Sequence, residues 1–256
     1  MALELTVVDA FTAEPFNGNP AAVAVLEAFV DDALMQAVAR EMNLSETAFV
    51  VPRADGDYDL RWFTPTTEVD LCGHATLAAT HVLGGSPRFH TRSGLLACTV
   101  SHDGAVEMDF PADRPTAAEP PSALHLPGVR WYGVGRWDAL VELEDAALVR
   151  QLQPDLAALA AVGTRCVIVT APADRRGFDC VSRVFAPNVG IPEDPVTGAA
   201  HCVLAVYWAG RLGREVLVGE QASARGGTVG MRLRGDRVTL SGRAVTVART
   251  RIVALS

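Results

Sequence analysis

Hydrophobic and polar side chains alternate along Leu3–Ala10, and this period of two, with its β-branched residues, predicts a first strand. The turn-forming segment PFNGNP follows at 15–20, and Ala21–Leu26 reads as a second strand. Asp31 and Asp32 then open a helix that runs to about Met42, with acidic side chains at the positive end of its dipole. Leu34, Val38 and Met42 recur at four-residue spacing and define its apolar face; Asn43 is its stop. Thr47–Val51 and Tyr58–Phe63 read as strands. Gly73–Leu83 differs, because its residues are small or apolar on every side, and this predicts a buried helix. Strands around 88–92, 95–101 and 105–110 close this half.

The segment 111–128, PADRPTAAEPPSALHLPG, holds five prolines and reads as a linker. It divides the chain into an N-terminal lobe, 1–113, and a C-terminal lobe, 114–256, whose last strand is the one element that could return to the first lobe. Strands near 129–134 and 138–143, helical stretches across 145–161 and a strand at Cys166–Thr170 follow. The second half then reads as a repeat of the first, the plain alternative being two unrelated α+β halves with similar strand–turn–helix units. Arg61-Trp62-Phe63-Thr64-Pro65 matches Arg183-Val184-Phe185-Ala186-Pro187, and each leads to a glycine that opens a small-residue helix, GHATLAATHVL from Gly73 and GAAHCVLAVYW from Gly198. Two such helix N-termini offer backbone N–H groups and positive dipole ends, which suits a small carboxylate.

Composition narrows the chemistry. All 22 basic residues are arginine, so no lysine is present to form a Schiff base or serve a P-loop. The net charge of -8 speaks against nucleic acid or an anionic membrane as partner. No apolar run approaches the ~20 residues of a membrane span, and the start lacks the basic region of a signal peptide. Five cysteines without CxxC spacing fit reduced thiols and a cytoplasmic location. No GxGxxG, GxSxG or HExxH run occurs, and His90 and His102 stand apart from any ligand-spaced cluster, so no metal is expected.

Three segments hold candidate chemistry. Glu46, in NLSETAFV, is a carboxylate beside apolar residues; desolvation would move it towards general acid/base range, and a turn hydrogen bond is the plain alternative. Its rough counterpart in the second half is Arg165, so a single base is expected. In Cys72-Gly73-His74, the glycine allows close backbone approach, the histidine could shuttle a proton, and a thiol at a helix N-terminus would have a lowered pKa. Packing in the core is the alternative for both side chains. Asp194, in Glu193-Asp194-Pro195-Val196-Thr197-Gly198, reads first as a cap on backbone N–H groups, and otherwise as a group that orients substrate or tunes His74. His201 reads as packed.

The motifs VDAFTAEPFNGNPAAV, LSETAFV, RWFTPTTEVDLCGHATLAA and EDPVTGAAHC, in this order, resemble the phenazine-biosynthesis isomerase-like (PhzF-like) family over the whole chain. That family is related in fold to diaminopimelate epimerase and proline racemase. The resemblance implies an α+β (mixed α/β) fold of two pseudo-symmetric lobes, each a curled mixed sheet around a central helix, with the active site between them. It also implies a homodimer without a cofactor. The family reaction, isomerisation of a dihydro-hydroxyanthranilate, moves a proton between carbons as the double bonds shift. By resemblance Glu46 is the acid/base, His74 and Asp194 complete the catalytic set, and Ser45, Gly73, Thr197, Gly198 and Ala199 bind substrate. Ala199 replaces a serine of the phenazine enzyme, so a hydroxyl is missing there. The related racemases use two thiols; Cys72 occupies the first position, and no cysteine occupies the second. The expected function is therefore an isomerase acting on a small anionic substrate. The alternatives are an epimerase using Cys72 and a non-catalytic binding protein of the same fold.

Overall fold

A helix that lacks a polar face must be enclosed, and the two glycine-led segments organise the fold for that reason. The computed structural model describes residues 2–253 as a mixed α/β fold in two units. One unit holds the described residues up to Asp109 and from Ser241 onward; the other is Phe110–Leu240.

The first unit contains β1 (Leu3–Ala10), β2 (Asn19–Val25), α1 (Asp32–Met42), β3 (Glu46–Pro52), β4 (Tyr58–Phe63), β5 (Glu68–Val69), α2 (Gly73–Leu83), β6 (Arg88–Thr91) and β7 (Gly94–Val100), and β8 (Val106–Pro111) leads out of it. The second contains β9 (Thr116–Ala117), β10 (Val129–Val134), β11 (Ala139–Leu143), α3 (Ala146–Gln151), α4 (Leu156–Ala160), β12 (Val167–Pro172), β13 (Cys180–Ala186), β14 (Ile191–Asp194), α5 (Gly198–Leu212), β15 (Val216–Gln221) and β16 (Gly227–Arg234), and β17 (Arg237–Gly242) leads out. The chain then re-enters the first unit as β18 (Ala244–Ile252), antiparallel to β1.

The two sheets share one topology. In the first, β1–β2 is antiparallel, β2–β3 parallel, β3–β4 antiparallel, β4–β6 parallel and β6–β7 antiparallel. In the second, β10–β11, β11–β12, β12–β13, β13–β15 and β15–β16 repeat that sequence of directions. Each parallel step needs a crossover, supplied by α1 and α2 in the first unit and by α3–α4 and α5 in the second. α2 buries every residue from His74 to Thr80 and packs on β1, β2, β3, β7 and β18. Its small side chains let the strands close in: a Cβ on Gly242 would meet the Phe11 ring at 2.4 Å and Leu77 at 3.1 Å.

Two local expectations change, and a third is made specific. The buried stripe of α1 is Met35, Val38 and Ala39, with Leu34 and Met42 only partly covered, because contact with Phe49 and Phe63 favours the i, i+3, i+4 side of the helix. The helical region 145–161 is two short helices, since Pro154 cannot continue the first and Asp155 caps the second. The proline-rich segment contributes a short strand, β9, to the β10 edge.

The repeat extends to side-chain bonds. Arg61 on β4 grips Glu68 on β5 through Nε and Nη2, both at 2.7 Å, and lies 5.2 Å from the Phe63 ring. Arg183 on β13 grips Glu193 on β14 at 2.8 and 2.9 Å and lies 5.0 Å from the Phe185 ring. Each arginine also reaches the outer helix, Arg61 to Asp32 at 2.7 Å and Arg183 to the Leu152 carbonyl at 2.7 Å. Beyond each short strand, a serine holds the turn into the central helix: Ser93 donates to the Asp70 carbonyl at 2.8 Å, and Ser223 to the Pro195 carbonyl at 2.7 Å. Replacing Arg61 with Met strips Glu68 of two charge-assisted bonds in a partly buried setting, so Arg61→Met is expected to lower stability in urea unfolding by about 2–3 kcal/mol. Arg53→Met breaks only exposed pairs with Asp55 and Asp59 and is expected to leave the urea midpoint unchanged.

Candidate active site

The first unit assembles its chemistry around the first turn of α2. Glu46 is the first residue of β3, placed there by the parallel register with β2 that sets Ala21 opposite it. Its Oε2 lies 2.9 Å from Nε2 of His74, with the two side chains 12% and 6% exposed. The two atoms do not meet the angular requirement of a hydrogen bond, so this is a close ionic contact rather than an aligned bond. The other ring nitrogen, Nδ1, faces Asn19 Nδ2 at 3.2 Å and Cys72 Sγ at 3.5 Å. As oriented, Asn19 Nδ2 can only donate to Nδ1, whereas the Cys72 thiol can donate or accept, so a protonated Nδ1 finds its acceptor in the thiol.

The loop between β1 and β2 delivers Asn19. Phe11, Phe16 and Gly18 take positive φ, and the Phe16 N–H donates to the buried Asp9 carboxylate at 2.7 Å. At Gly18 a Cβ would fall 2.2 Å from the Ala10 carbonyl oxygen, so only glycine fits the bend that precedes Asn19. PFNGNP reads from sequence as a turn, and nothing there marks Asn19 as a partner of a histidine 55 residues away.

Burial works against the charged form of His74, but the negative charge beside it outweighs burial, and the imidazole is held above its ordinary value. The carboxylate of Glu46 is the cause we assign, because Cys72 stays protonated: burial and then the Glu46 charge push its thiol up. The expectation of a lowered Cys72 pKa is thereby reversed. Desolvation and a neighbouring carboxylate exceed the helix-end effect. Glu46, Cys72 and His74 place ligand-type atoms within 4.8 Å of one another, with the carboxylate at Nε2 and the thiol at Nδ1 of the same ring. Asp55, Asp57 and His90 form a second such group, unforeseen from sequence because β6 brings His90 to 2.8 Å from Asp57. Arg53 and Arg88 already balance that charge.

In the second unit, Asp194 ends β14 and Thr197 is the N-cap residue of α5. Asp194 accepts the Thr197 hydroxyl at 2.5 Å. Strand register makes Cys166, one residue on from Arg165, the equivalent of Glu46 in the repeat. Its thiol is pushed up to about 12, first by burial and then by the Asp138 charge, so no second base stands there. His201 is fully buried, bonded through Nδ1 to the Thr197 carbonyl at 2.8 Å, and pushed down to about 4 by burial. It is packed and neutral, as its sequence position implies.

Asp31, Asp145 and Asp155 cap α1, α3 and α4 with their carboxylates. Among the described residues α2 and α5 have no side-chain cap, and they begin with Gly73 and Gly198. Ser45 precedes Glu46 in a half-buried turn, and Ala199 presents a methyl group in the first turn of α5.

Four similarities accompany this geometry. Residues 8–250 match the family described as phenazine biosynthesis-like protein, PhzC-PhzF. A Pseudomonas aeruginosa protein named as an uncharacterized isomerase is 52% identical over 253 residues, covering 94% of this chain and 96% of its own. A Halalkalibacterium halodurans protein, also named as an uncharacterized isomerase, is 45% identical over 266 residues, 99% of each chain. The crystal structure of an Enterococcus faecalis phenazine biosynthesis protein of the PhzF family superposes with a TM-score of 0.93 at 40% identity, covering 99% of this chain and all of that one.

The raised imidazole gives a direct test. His74 contributes stability that is fully present below its unfolded value of about 6.5 and is lost as pH rises through the higher folded value. Ring nitrogen NMR is expected to show an imidazolium at neutral pH. In Glu46→Gln only burial acts on the ring, and the same spectrum is expected to show neutral imidazole at about pH 7. An imidazolium surviving in Glu46→Gln would remove the carboxylate as the cause.

Proposed function

The chain belongs to the phenazine biosynthesis-like (PhzC-PhzF) family, and on that basis we propose that it is an isomerase that moves a proton within a small carboxylic or amino acid. The observation behind this reading is the buried contact of Glu46 with His74 at the uncapped start of α2. Glu46 is the acid/base. Its Oε2 is turned to the imidazole, so Oε1 is the atom assigned to the substrate. It takes a proton from a carbon next to a double bond; the C–H electron pair becomes part of the shifted double bond. The protonated carboxyl, whose proton exchanges with solvent, then delivers a proton to another carbon, so one C–H bond is broken and one is formed, no net oxidation occurs and no cofactor is required. His74, held as an imidazolium, offsets the charge of Glu46 before the transfer and the charge on the substrate after it.

The substrate carboxylate is assigned to the backbone N–H groups of the glycine-led first turns, with Ser45, Gly73, Thr197, Gly198 and Ala199 as binding residues and Asp194 orienting the polar groups of the substrate. With Ala199 in place of a hydroxyl, anchoring rests on the backbone. We therefore expect a substrate related to, and distinct from, dihydro-hydroxyanthranilate.

An epimerase in which Cys72 is the base is less well supported, because burial keeps that thiol protonated. Solvent exchange separates the two readings. Candidate cyclic and allylic amino acids incubated in D2O are expected to gain deuterium at carbon, as followed by NMR. Glu46→Gln is expected to slow this about 10²–10⁴-fold, and Cys72→Ala to leave it within about tenfold. Exchange that survives in Glu46→Gln and vanishes in Cys72→Ala would transfer the role to the thiol.

A further inference from the structure

Gln221 ends β15 and is fully buried. Its side-chain amide is spent entirely on the turn before α5. Oε1 accepts the Thr197 N–H at 2.9 Å, and Nε2 donates to the Asp194 carbonyl at 2.7 Å and to Thr197 Oγ1 at 3.2 Å. The orientation of the amide is determined, since a flip would set donor against donor at Thr197 and acceptor against acceptor at Asp194. Because Thr197 Oγ1 receives a proton from Gln221, its own single proton goes to Asp194 Oδ2 at 2.5 Å. The order amide, hydroxyl, carboxylate runs in one direction only.

The internal repeat separates scaffold from speciality. Aligning Arg61 with Arg183 sets Tyr58 and Asp59 beside Cys180 and Val181, whose parallel partners are Phe89 and His90 in one unit and Gly219 and Glu220 in the other. Gln221 therefore corresponds to Thr91. Thr91 Oγ1 donates to the Gly94 carbonyl at 2.7 Å and takes no part in the turn before α2. Among the described residues the first unit builds that turn with the serine bond and without a counterpart of the glutamine, so the fold does not require the glutamine. Asp194 corresponds to Val69, paired with Trp62 as Asp194 is with Val184. The extra clamp thus occurs in the unit that carries a carboxylate, Asp194, where the other carries Val69, and it terminates on that carboxylate.

We propose that Gln221 is a positioning residue that sets the direction of the Thr197 hydroxyl and, through it, the Asp194 carboxylate. Its effect on turnover rests on the isomerase reading above; its effect on the turn does not. Two variants test it. Gln221→Leu removes all three bonds at similar size. Gln221→Glu keeps the acceptor for the Thr197 N–H, and its carboxyl donates to the Asp194 carbonyl only when protonated.

Amide hydrogen exchange in peptides spanning 193–200 is expected to quicken at least about tenfold in Gln221→Leu, while the middle of α5 stays as slow as in the parent protein. For an acid that the parent protein deuterates in D2O, kcat is expected to fall about 10–100-fold in both variants near pH 8, with a smaller change in KM. Gln221→Glu is expected to recover towards about pH 5, where the new carboxyl beside Asp194 regains its proton, and Gln221→Leu is not. Unchanged exchange at 193–200 in Gln221→Leu overturns the proposal, as does a loss in Gln221→Glu that is the same at both pH values. If the parent protein deuterates none of the acids, the isomerase reading fails, and the amide exchange alone decides whether Gln221 holds the turn.

Discussion

Each unit depends on one bidentate arginine–glutamate pair. Arg61 with Glu68, and Arg183 with Glu193, pin a short return strand to the sheet, and the same arginine reaches the outer helix. The next few residues must turn into a helix that is buried on all sides, so a small error in the return strand would misplace every residue of that helix's first turn. A planar guanidinium engages both carboxylate oxygens and lies against a phenylalanine ring; a lysine could do neither as well. In a chain without lysine, arginine here serves geometry as much as charge.

Within that shared frame the two units have diverged chemically. The first places a carboxylate against an imidazole, with a carboxamide and a thiol at the other ring nitrogen. The second has a protonated thiol at the glutamate position and a neutral histidine bonded into its own helix. Its one carboxylate in the turn, Asp194, is held by Thr197, which Gln221 holds in turn. Groups able to move a proton thus concentrate in the first unit, and the second holds its polar groups in fixed directions. Duplication makes this division economical, because the scaffold bonds are common and only a handful of side chains differ.

Much of this was legible in the sequence, for local reasons. Gly73–Leu83 and the start of the second central helix at Gly198 follow from unbroken small and apolar character after a glycine, and Asn43 stops a helix by its own backbone preference. The RxF repeat was visible too, and Glu46, Cys72 and His74 stood out by residue type and place. Their mutual contacts did not. Asn19 meets His74 across 55 residues and Gln221 meets Thr197 across 24, and neither has a neighbouring residue that announces its partner. The direction of the Cys72 shift was misjudged because a helix N-terminus is a local signal, whereas burial and the Glu46 charge arrive from other elements.

The sequence by itself determined the alternation of strands and buried helices, the internal repeat, and an inventory of groups able to move a proton without lysine. Those properties depend on residue spacing, on glycine and proline, and on side-chain chemistry, all of which act over a few residues. The tertiary structure decided which nitrogen of His74 faces Glu46, which thiol stays protonated, and which amide directs Asp194. These are matters of strand register and enclosure. A shift of one residue in a strand turns each side chain to the opposite face, and only the packed sheet around each central helix selects the register that brings these atoms together.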